Sequence, residues 1–240
     1  MRIAVLSDIH GNLTAFEAVL EDLTKTSPDT VLFGGDLADS ASAGAEIVDR
    51  IRGFGWAGVF GNTDEMLFRP ESLENFVESS SAPASLWNAV REIAAYSRLQ
   101  LGEERLRWMK ALPRIYHLDP IELVHASPTD AWRAPSKSAE DQELQAVYGK
   151  SKMPYSVYGH IHQPYMRSLP NQRMVVNAGS VGLSADGDRR ASYVILDEEG
   201  PTIRRLEYDV EREVSMIESS KAPHANWIAK MLRTGLPQLP

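Results

Sequence analysis

The chain opens with an apolar run and then alternates short apolar runs with amphipathic stripes. Ile3-Ala4-Val5-Leu6 is short and rich in β-formers, the signature of a buried strand. Beyond it, Phe16, Val19, Leu20 and Leu23 recur at i, i+3, i+4 and i+7, which predicts an amphipathic helix that Ser27-Pro28-Asp29 ends. Thr30 to Phe33 is a second strand, closing on Gly34-Gly35-Asp36, where glycines let the backbone turn tightly. A helix with Ile47, Val48, Ile51 and Phe54 on one face follows, then a third strand, Trp56 to Phe60, closing on Gly61-Asn62-Thr63-Asp64. Such a β-α-β-α-β series predicts a parallel sheet with right-handed crossovers.

From residue 65 to about 113 the pattern is helical only, with Trp87, Val90, Ile93, Ala94 and Ser97 on one stripe and a break at Ser79 to Pro83. An insert of this kind is expected to lie over the strand ends as a cap, or to form a second packing layer, or both. Strands resume at Arg114 to His117 and Ile121 to Val124, the latter closing on His125. A polar loop through Trp132 and a helix at Glu140 to Tyr148 lead to the strand Tyr155 to Tyr158, which closes on Gly159-His160-Ile161-His162. Met174 to Val176 closes on Asn177-Ala178-Gly179-Ser180. Ala191 to Leu196 and Thr202 to Tyr208 read as an antiparallel pair around Asp197 to Gly200, and helices fill about 209–235. No linker, repeat or low-complexity tract divides the chain, so residues 1–240 are expected to form a single domain.

Composition removes several classes of function. With 43% hydrophobic residues the chain can build a sizeable core, and the absence of cysteine excludes disulfides, thiolate metal sites and cysteine nucleophiles. A formal charge of −8 argues against strong nucleic-acid binding but leaves room for a small phosphorylated substrate held by metal ions. No apolar run reaches the ~20 residues of a membrane span. The first strand begins at Arg2, leaving no room for a signal peptide, so a cytoplasmic location is expected. None of these features fixes an oligomeric state.

The chemistry gathers at the strand ends. Asp8 and His10 share one side of the first tip because side chains alternate with period two. Asp36, Asn62, His125, and then His160 with His162 stand at four further tips. Singly each has a mundane role: Asp36 as a helix cap, His125 as a core imidazole, Asn62 as a turn former, His160 and His162 as solvated groups. Their coincidence at five tips points instead to one site, because parallel neighbours gather their carboxyl ends at one edge. Hard oxygens with imidazole nitrogens suit manganese, iron, zinc or nickel, with manganese favoured. Seven ligands fit two divalent ions with one carboxylate shared, and Asp36 is the natural bridge. Two ions ~3.5–4 Å apart polarise a phosphoryl group and lower the pKa of a water between them.

In this order, Asp-x-His, Gly-Asp, Gly-Asn-x-Asp, a lone His after a strand, and Gly-His-x-His resemble the calcineurin-like metallophosphoesterases, from Arg2 to about Leu196. Ser7 to Asn12 and Asn177 to Ser180 are most similar to the small bacterial and archaeal phosphodiesterase branch. The resemblance implies an α/β protein, a four-layer α-β-β-α sandwich with a helical cap insertion and a dinuclear centre at one sheet edge. It assigns Asp8, His10, Asp36 and His162 to one metal, and Asp36, Asn62, His125 and His160 to the other. It places Asn62, Thr63 and Asp64 in the catalytic region, and it puts Asn12, Gly179 and Ser180 on the substrate side; Trp132, in the loop after His125 and flanked by Asp130, Arg133 and Pro135, is a further candidate there from its position alone. Much of the family has a histidine where this chain has Thr63, a group thought to protonate the leaving oxygen. The implied activity is a phosphodiesterase acting on a small or nucleotide-derived phosphoester through a metal-bridging hydroxide. A phosphomonoesterase, including a Ser/Thr protein phosphatase or a dinucleoside polyphosphate hydrolase, is the alternative. A non-catalytic scaffold is a third, against which the intact ligand set speaks.

Overall fold

The structure, a computed structural model, describes residues 1–170 and 172–240. Strand β1 (Ile3–Leu6) pairs in parallel with β2 (Thr30–Phe33), which pairs in parallel with β3 (Ala57–Gly58). On the other side of β1 lie β9 (Ala191–Asp197) and β10 (Gly200–Leu206), both antiparallel to their neighbours, completing the first sheet in the order β10-β9-β1-β2-β3. The second sheet joins β4 (Ile115–Leu118), β5 (Ile121–Val124), β6 (Tyr155–Tyr158), β7 (Tyr165–Ser168) and β8 (Met174–Asn177) in the order β4-β5-β6-β8-β7. Its β5, β6 and β8 are parallel.

Alternation along the strands explains why two sheets stack. Ile3 and Val5 of β1 face the second sheet and join Leu32, Leu123, Val157 and Val176 in an apolar layer between the sheets. The intervening Ala4 and Leu6 face outward, where Phe16 and Val19 of α1 (Leu13–Thr26) and Ile47, Val48 and Ile51 of α2 (Gly44–Phe54) cover them. Outside the second sheet, Val124, Tyr158 and Val175 meet Leu144 and Tyr148 of α6 (Asp141–Tyr148). The result is the expected α-β-β-α sandwich. Each fully buried aliphatic side chain in these layers stabilises the fold by about 1.5–3 kcal/mol relative to exposure. A buried polar tie adds to this outside the first sheet. Asp22 of α1 accepts from the Tyr193 hydroxyl of β9 at 2.6 Å and from the Arg204 guanidinium of β10 at 2.6 and 2.9 Å.

The insert comprises α3 (Asn62–Phe68), α4 (Glu71–Val77) and α5 (Ala84–Lys110). Helix α5 is interrupted at Gly102, whose φ of 69° and ψ of 168° lie outside helical space. Beyond that break Leu106 and Met109 enter the core under α1 and α2, and Trp108 lies 6.0 Å from the Phe33 ring. Trp87 meets Phe76 edge-on at 5.8 Å. These tryptophans pack the insert against the first sheet and its own helices. Helices α7 (Val210–Ser219) and α8 (Ala225–Thr234) pack on one another, on Ile93 of α5, and on Ala41 and Leu183 in two strand-end loops.

Two sequence expectations change. The third strand is only Ala57–Gly58, because Val59 makes one more bond to Phe33 and Phe60 then turns to Pro113. Strand β7, unassigned from the sequence, is a four-residue edge strand with one buried side chain, too little apolar signal to stand out.

Candidate metal centre

The strand ends of both sheets open on one edge of the sandwich. Asp8 and His10 follow β1, Asp36 follows β2, and Asn62 begins α3 just after β3. From the second sheet, His125 follows β5, and His160 and His162 follow β6. Asp8, His10, Asp36, His160 and His162 all adopt left-handed backbone conformations, with φ between 51° and 64°. A non-glycine residue there costs on the order of 1–3 kcal/mol and persists only where its surroundings enforce it. The loops enforce it on one another: the amides of Asp8 and His10 donate to Gly35 and Asp36 carbonyls at 3.0 Å, and the Ser180 hydroxyl donates to the Asp8 carbonyl at 2.7 Å. The His160 amide donates to both Asp8 carboxylate oxygens at 3.1 and 3.0 Å, tying the two sheets directly. Gly159 has to be glycine, since a Cβ would sit 2.2 Å from Asp8 Oδ2.

All seven side chains converge. One donor atom each from Asp8, His10, Asp36 and His162 lies within 4.8 Å of the others. Asn62 Oδ1 stands 2.9 Å from both His125 Nε2 and His160 Nδ1. Asp36 Oδ2 lies between the two groups, 3.7 Å from His10 Nε2 and 3.5 Å from His125 Nε2.

The outward hydrogen bonds fix what the imidazoles present inward. His10 Nδ1 donates to Asp39 Oδ1 at 2.7 Å, His125 Nδ1 donates to the Gly34 carbonyl at 2.7 Å, and His162 Nδ1 donates to the Leu183 carbonyl. The Trp132 backbone lies against the His160 ring. In its neutral form each ring so held turns a lone pair toward the centre. His10 Nε2 and His162 Nε2 then face each other at 3.2 Å, and His125 Nε2 faces the Asn62 oxygen at 2.9 Å. Acceptors that close repel unless positive charge lies among them. The donor set therefore fits divalent metal ions, with nitrogen and oxygen in proportions suited to transition metals.

The electrostatics agree. Burial alone would push the His10 pKa down, but Asp39, Asp36 and Asp8 raise it to about 10. Burial raises Asp8, yet His162, with His125 and His10, holds its carboxyl well below the usual range. His125 is raised by Asp36 and Asp8 against its burial. His160, buried and next to His125, falls to about 3 and stays neutral, as a ligand must. Without metal ions His10 therefore carries a proton in this acidic nest, and a metal ion bound there would take that proton's place.

Asp39 went unread in the sequence, although its place three residues after Asp36 was visible there. It is buried, and its second oxygen accepts from the Ser40 hydroxyl at 2.8 Å. It thus sets the His10 tautomer, as a carboxylate behind a ligating histidine does. Asp64 is fully buried and accepts from the amides of Asp36, Leu37 and Gly61 at 2.7–2.9 Å. Its own burial and the Asp36 carboxylate raise it to about 7. It splices the loops after β2 and β3 rather than facing the opening. Thr63 donates its amide to Asp36 Oδ1 at 2.9 Å, and its buried hydroxyl lies beside the Asp39 carboxylate, which it helps hold below the usual carboxyl range.

The residues expected on the substrate side divide. Asn12 is 1% exposed and fully used: its oxygen caps α1 at the Ala15 amide, and its Nδ2 donates to the Gly182 carbonyl and the Tyr208 hydroxyl. Ser180 is equally buried, accepting from the Leu183 amide while it holds Asp8. Gly179 is buried at a φ of 73° with Ser192 and Pro164 against it. These three stand behind the site, and the side chains of Asn12 and Ser180 are consumed in building it. Trp132 alone stays half-buried and forward. Its ring stacks on Phe76 at 5.0 Å and its Nε1 donates to Glu65 Oε2 at 2.6 Å, one turn along α3 from Asn62. With Arg69, Asn75 and Arg114 it borders a cavity of about 180 Å³.

Two stacked sheets lie between helices, with a candidate metal-binding group of Asp8, His10, Asp36 and His162 at one sheet edge. Residues 1–200 match the calcineurin-like phosphoesterase superfamily domain, and the chain belongs to that superfamily, whose members depend on divalent metals. An uncharacterised protein of Methanocaldococcus jannaschii, MJ0912, is 28% identical over 97% of this chain and 98% of its own length. Among solved structures, a metallophosphoesterase from Sphaerobacter thermophilus is 24% identical, covers 98% of this chain and 99% of its own, and superposes with a TM-score of 0.79. The hypothetical protein PH1004 of Pyrococcus horikoshii reaches a TM-score of 0.84 at 18% identity, with 99% of each chain covered. These likenesses establish the fold.

Proposed function

We propose that this chain hydrolyses small phosphoesters, phosphodiesters in preference to monoesters, using two divalent cations held between its sheets. The observation that carries the reading is the convergence of imidazole nitrogens and oxygen donors: His10 Nε2 stands 3.2 Å from His162 Nε2, and the Asn62 oxygen 2.9 Å from His125 and His160 nitrogens. Asp8, His10, Asp36 and His162 would hold one cation and Asn62, His125 and His160 the other, with Asp36 shared. Manganese leads among the candidate metals. When bound, such a pair polarises the phosphoryl group, offsets the charge on its oxygens and makes water a competent nucleophile near neutral pH.

The chain's own residues supply orientation. Asp39 and the Gly34 and Leu183 carbonyls fix the rings of His10, His125 and His162, so the donors are set before substrate arrives. No side chain is placed to act as the nucleophile. A diester carries a second organic group, and the cavity beside Trp132 is where that group would rest. The location that fits such a substrate is the cytoplasm.

Metal analysis and a paired substrate test decide the matter. Purified protein should hold about two transition-metal ions per chain and cleave bis(p-nitrophenyl) phosphate faster than p-nitrophenyl phosphate. Asp36→Asn should lose metal and turnover together, because the shared carboxylate serves both compartments. Unchanged metal content and rate in that variant would refute the assignment.

A further inference from the structure

Glu65 is a buried side chain, 3% exposed, that no step of the proposed hydrolysis uses although it stands close to the centre. It follows Asn62 by three residues on α3, so the two are neighbours on one face of that helix. One of its oxygens pairs with Arg69, whose side chain is 49% exposed, and a pair so open to water contributes little. The other accepts from Trp132 Nε1 at 2.6 Å. That bond crosses from α3, at the end of the first sheet, to the loop after β5 of the second. Phe76 of α4 backs the same indole, stacked on it at 5.0 Å.

The loop that leads to Trp132 is locked from within. The Ser127 amide and hydroxyl both donate to the Asp130 carbonyl, at 3.0 and 2.9 Å, and the hydroxyl accepts from the Asp130 amide at 3.1 Å. Asp130 Oδ1 then accepts from the Trp132 amide at 2.7 Å. This loop starts from His125, and at its far end the Trp132 backbone lies against the His160 ring. His160 Nδ1 and His125 Nε2 each stand 2.9 Å from Asn62 Oδ1. The contacts close a circuit from Asn62 to Glu65, Trp132, His160 and back to Asn62.

We infer that Glu65 is a positioning residue for the compartment of Asn62, His125 and His160. By gripping the Trp132 indole it fixes, relative to one another, the helix that carries Asn62 and the loop that orients His160. This role depends on the two-cation reading and assigns Glu65 to one of the two ions. Groups behind metal ligands typically carry about 10–100-fold in metal affinity. The compartment of Asp8, His10 and His162 is held instead by Ser180, Asp39 and the Leu183 carbonyl, so it should not respond.

Equilibrium dialysis of the full chain against manganese buffers of graded free concentration tests this, with bound manganese counted per chain. The wild type should fill in two steps, one of which Asn62→Ala removes. Glu65→Ala should weaken that same step about 10–100-fold and leave the other in place. Trp132→Phe, which keeps a ring on Phe76 and the main-chain carbonyl but loses the Nε1 donor, should do likewise. Glu65→Gln offers an oxygen to Trp132 Nε1 and should restore the wild-type isotherm, although it breaks the pair with Arg69. Asp22→Asn loosens the contact of α1 with β9 and β10 and should move neither step, which controls for stability alone. Two unshifted steps in Glu65→Ala and Trp132→Phe would remove Glu65 from this role and leave the two-cation reading standing. Both steps weakened together would do the same, since that reports general loosening. If Glu65→Ala does not fold, Trp132→Phe decides alone. A wild type that binds fewer than two ions overturns the two-cation reading and this role with it.

Discussion

Thr63 is the residue on which the proposed hydrolysis turns. Asp64 beside it is committed to three backbone amides, and the Thr63 hydroxyl, turned to the Asp39 carboxylate, has no proton to give near neutral pH. A positioned general acid is typically worth 10²–10⁴ in rate. Without one at this position, kcat/KM should fall steeply as the leaving-group pKa rises, and alkyl diesters should react about 10²–10⁴ more slowly than aryl diesters. A Brønsted series of substituted phenyl diesters measures the slope, and a flat line would mean that a donor acts from elsewhere. The seven converging residues were legible in the sequence because each is a donor type at the end of an apolar run. Asp39 was harder to read, because its role depends on the left-handed turns at His10 and Asp36, which carry no signal in residue type. Asn12 and Ser180, whose side chains bond to the protein, pose the opposite problem: short polar side chains in a loop look the same in sequence whether they meet a ligand or their own backbone.

Among the elements, the contact of α1 with β9 and β10 has the clearest pH signature. The Arg204 guanidinium holds Asp22 below its usual carboxyl range, the Tyr193 hydroxyl helping against the burial that opposes it. A depressed carboxyl pKa contributes stability above the unfolded value of about 3.9 and loses it as pH falls through the folded value. Asp22→Asn should therefore cost about 1–3 kcal/mol at pH 7, since the amide leaves buried donors poorly paired. The gap from the wild type should close below about pH 4, a trend that urea melts across that range would follow. A gap constant with pH would assign the loss to packing. The helices and most strands could be read because their period is carried by large side chains. The edge strand β7 and the two-residue β3 could not, since pairing rather than composition makes them strands. The insert lay open between cap and packing layer. Trp108 against Phe33 and Trp87 against Phe76 give it the packing part, while α3 carries Asn62 into the centre.

At the scale of the whole molecule, the centre is a clasp between two sheets. Asp8, His10, Asp36 and Asn62 come from the first and His125, His160 and His162 from the second, so cations bound there would oppose separation of the layers. A ligand present at about 100 times its Kd adds ~2.7 kcal/mol, which for a chain of this size corresponds to roughly 5–10 °C in Tm. Treatment with EDTA should lower Tm by about that amount, restored by manganese, in scans at fixed protein concentration. A Tm indifferent to chelation would separate the cations from the docking of the sheets. The pairing of β1 has a further consequence for how the protein is made. Ile3 to Val5 pair with residues 194–196, so the central strand of the first sheet acquires its second neighbour only when nearly the whole chain exists. On a ribosome, β1, β2 and β3 emerge early, and the apolar edge of β1 then stays open throughout most of synthesis. A chain ending before residue 191 would thus leave β1 with one edge unpaired, a strand edge open to association with other chains.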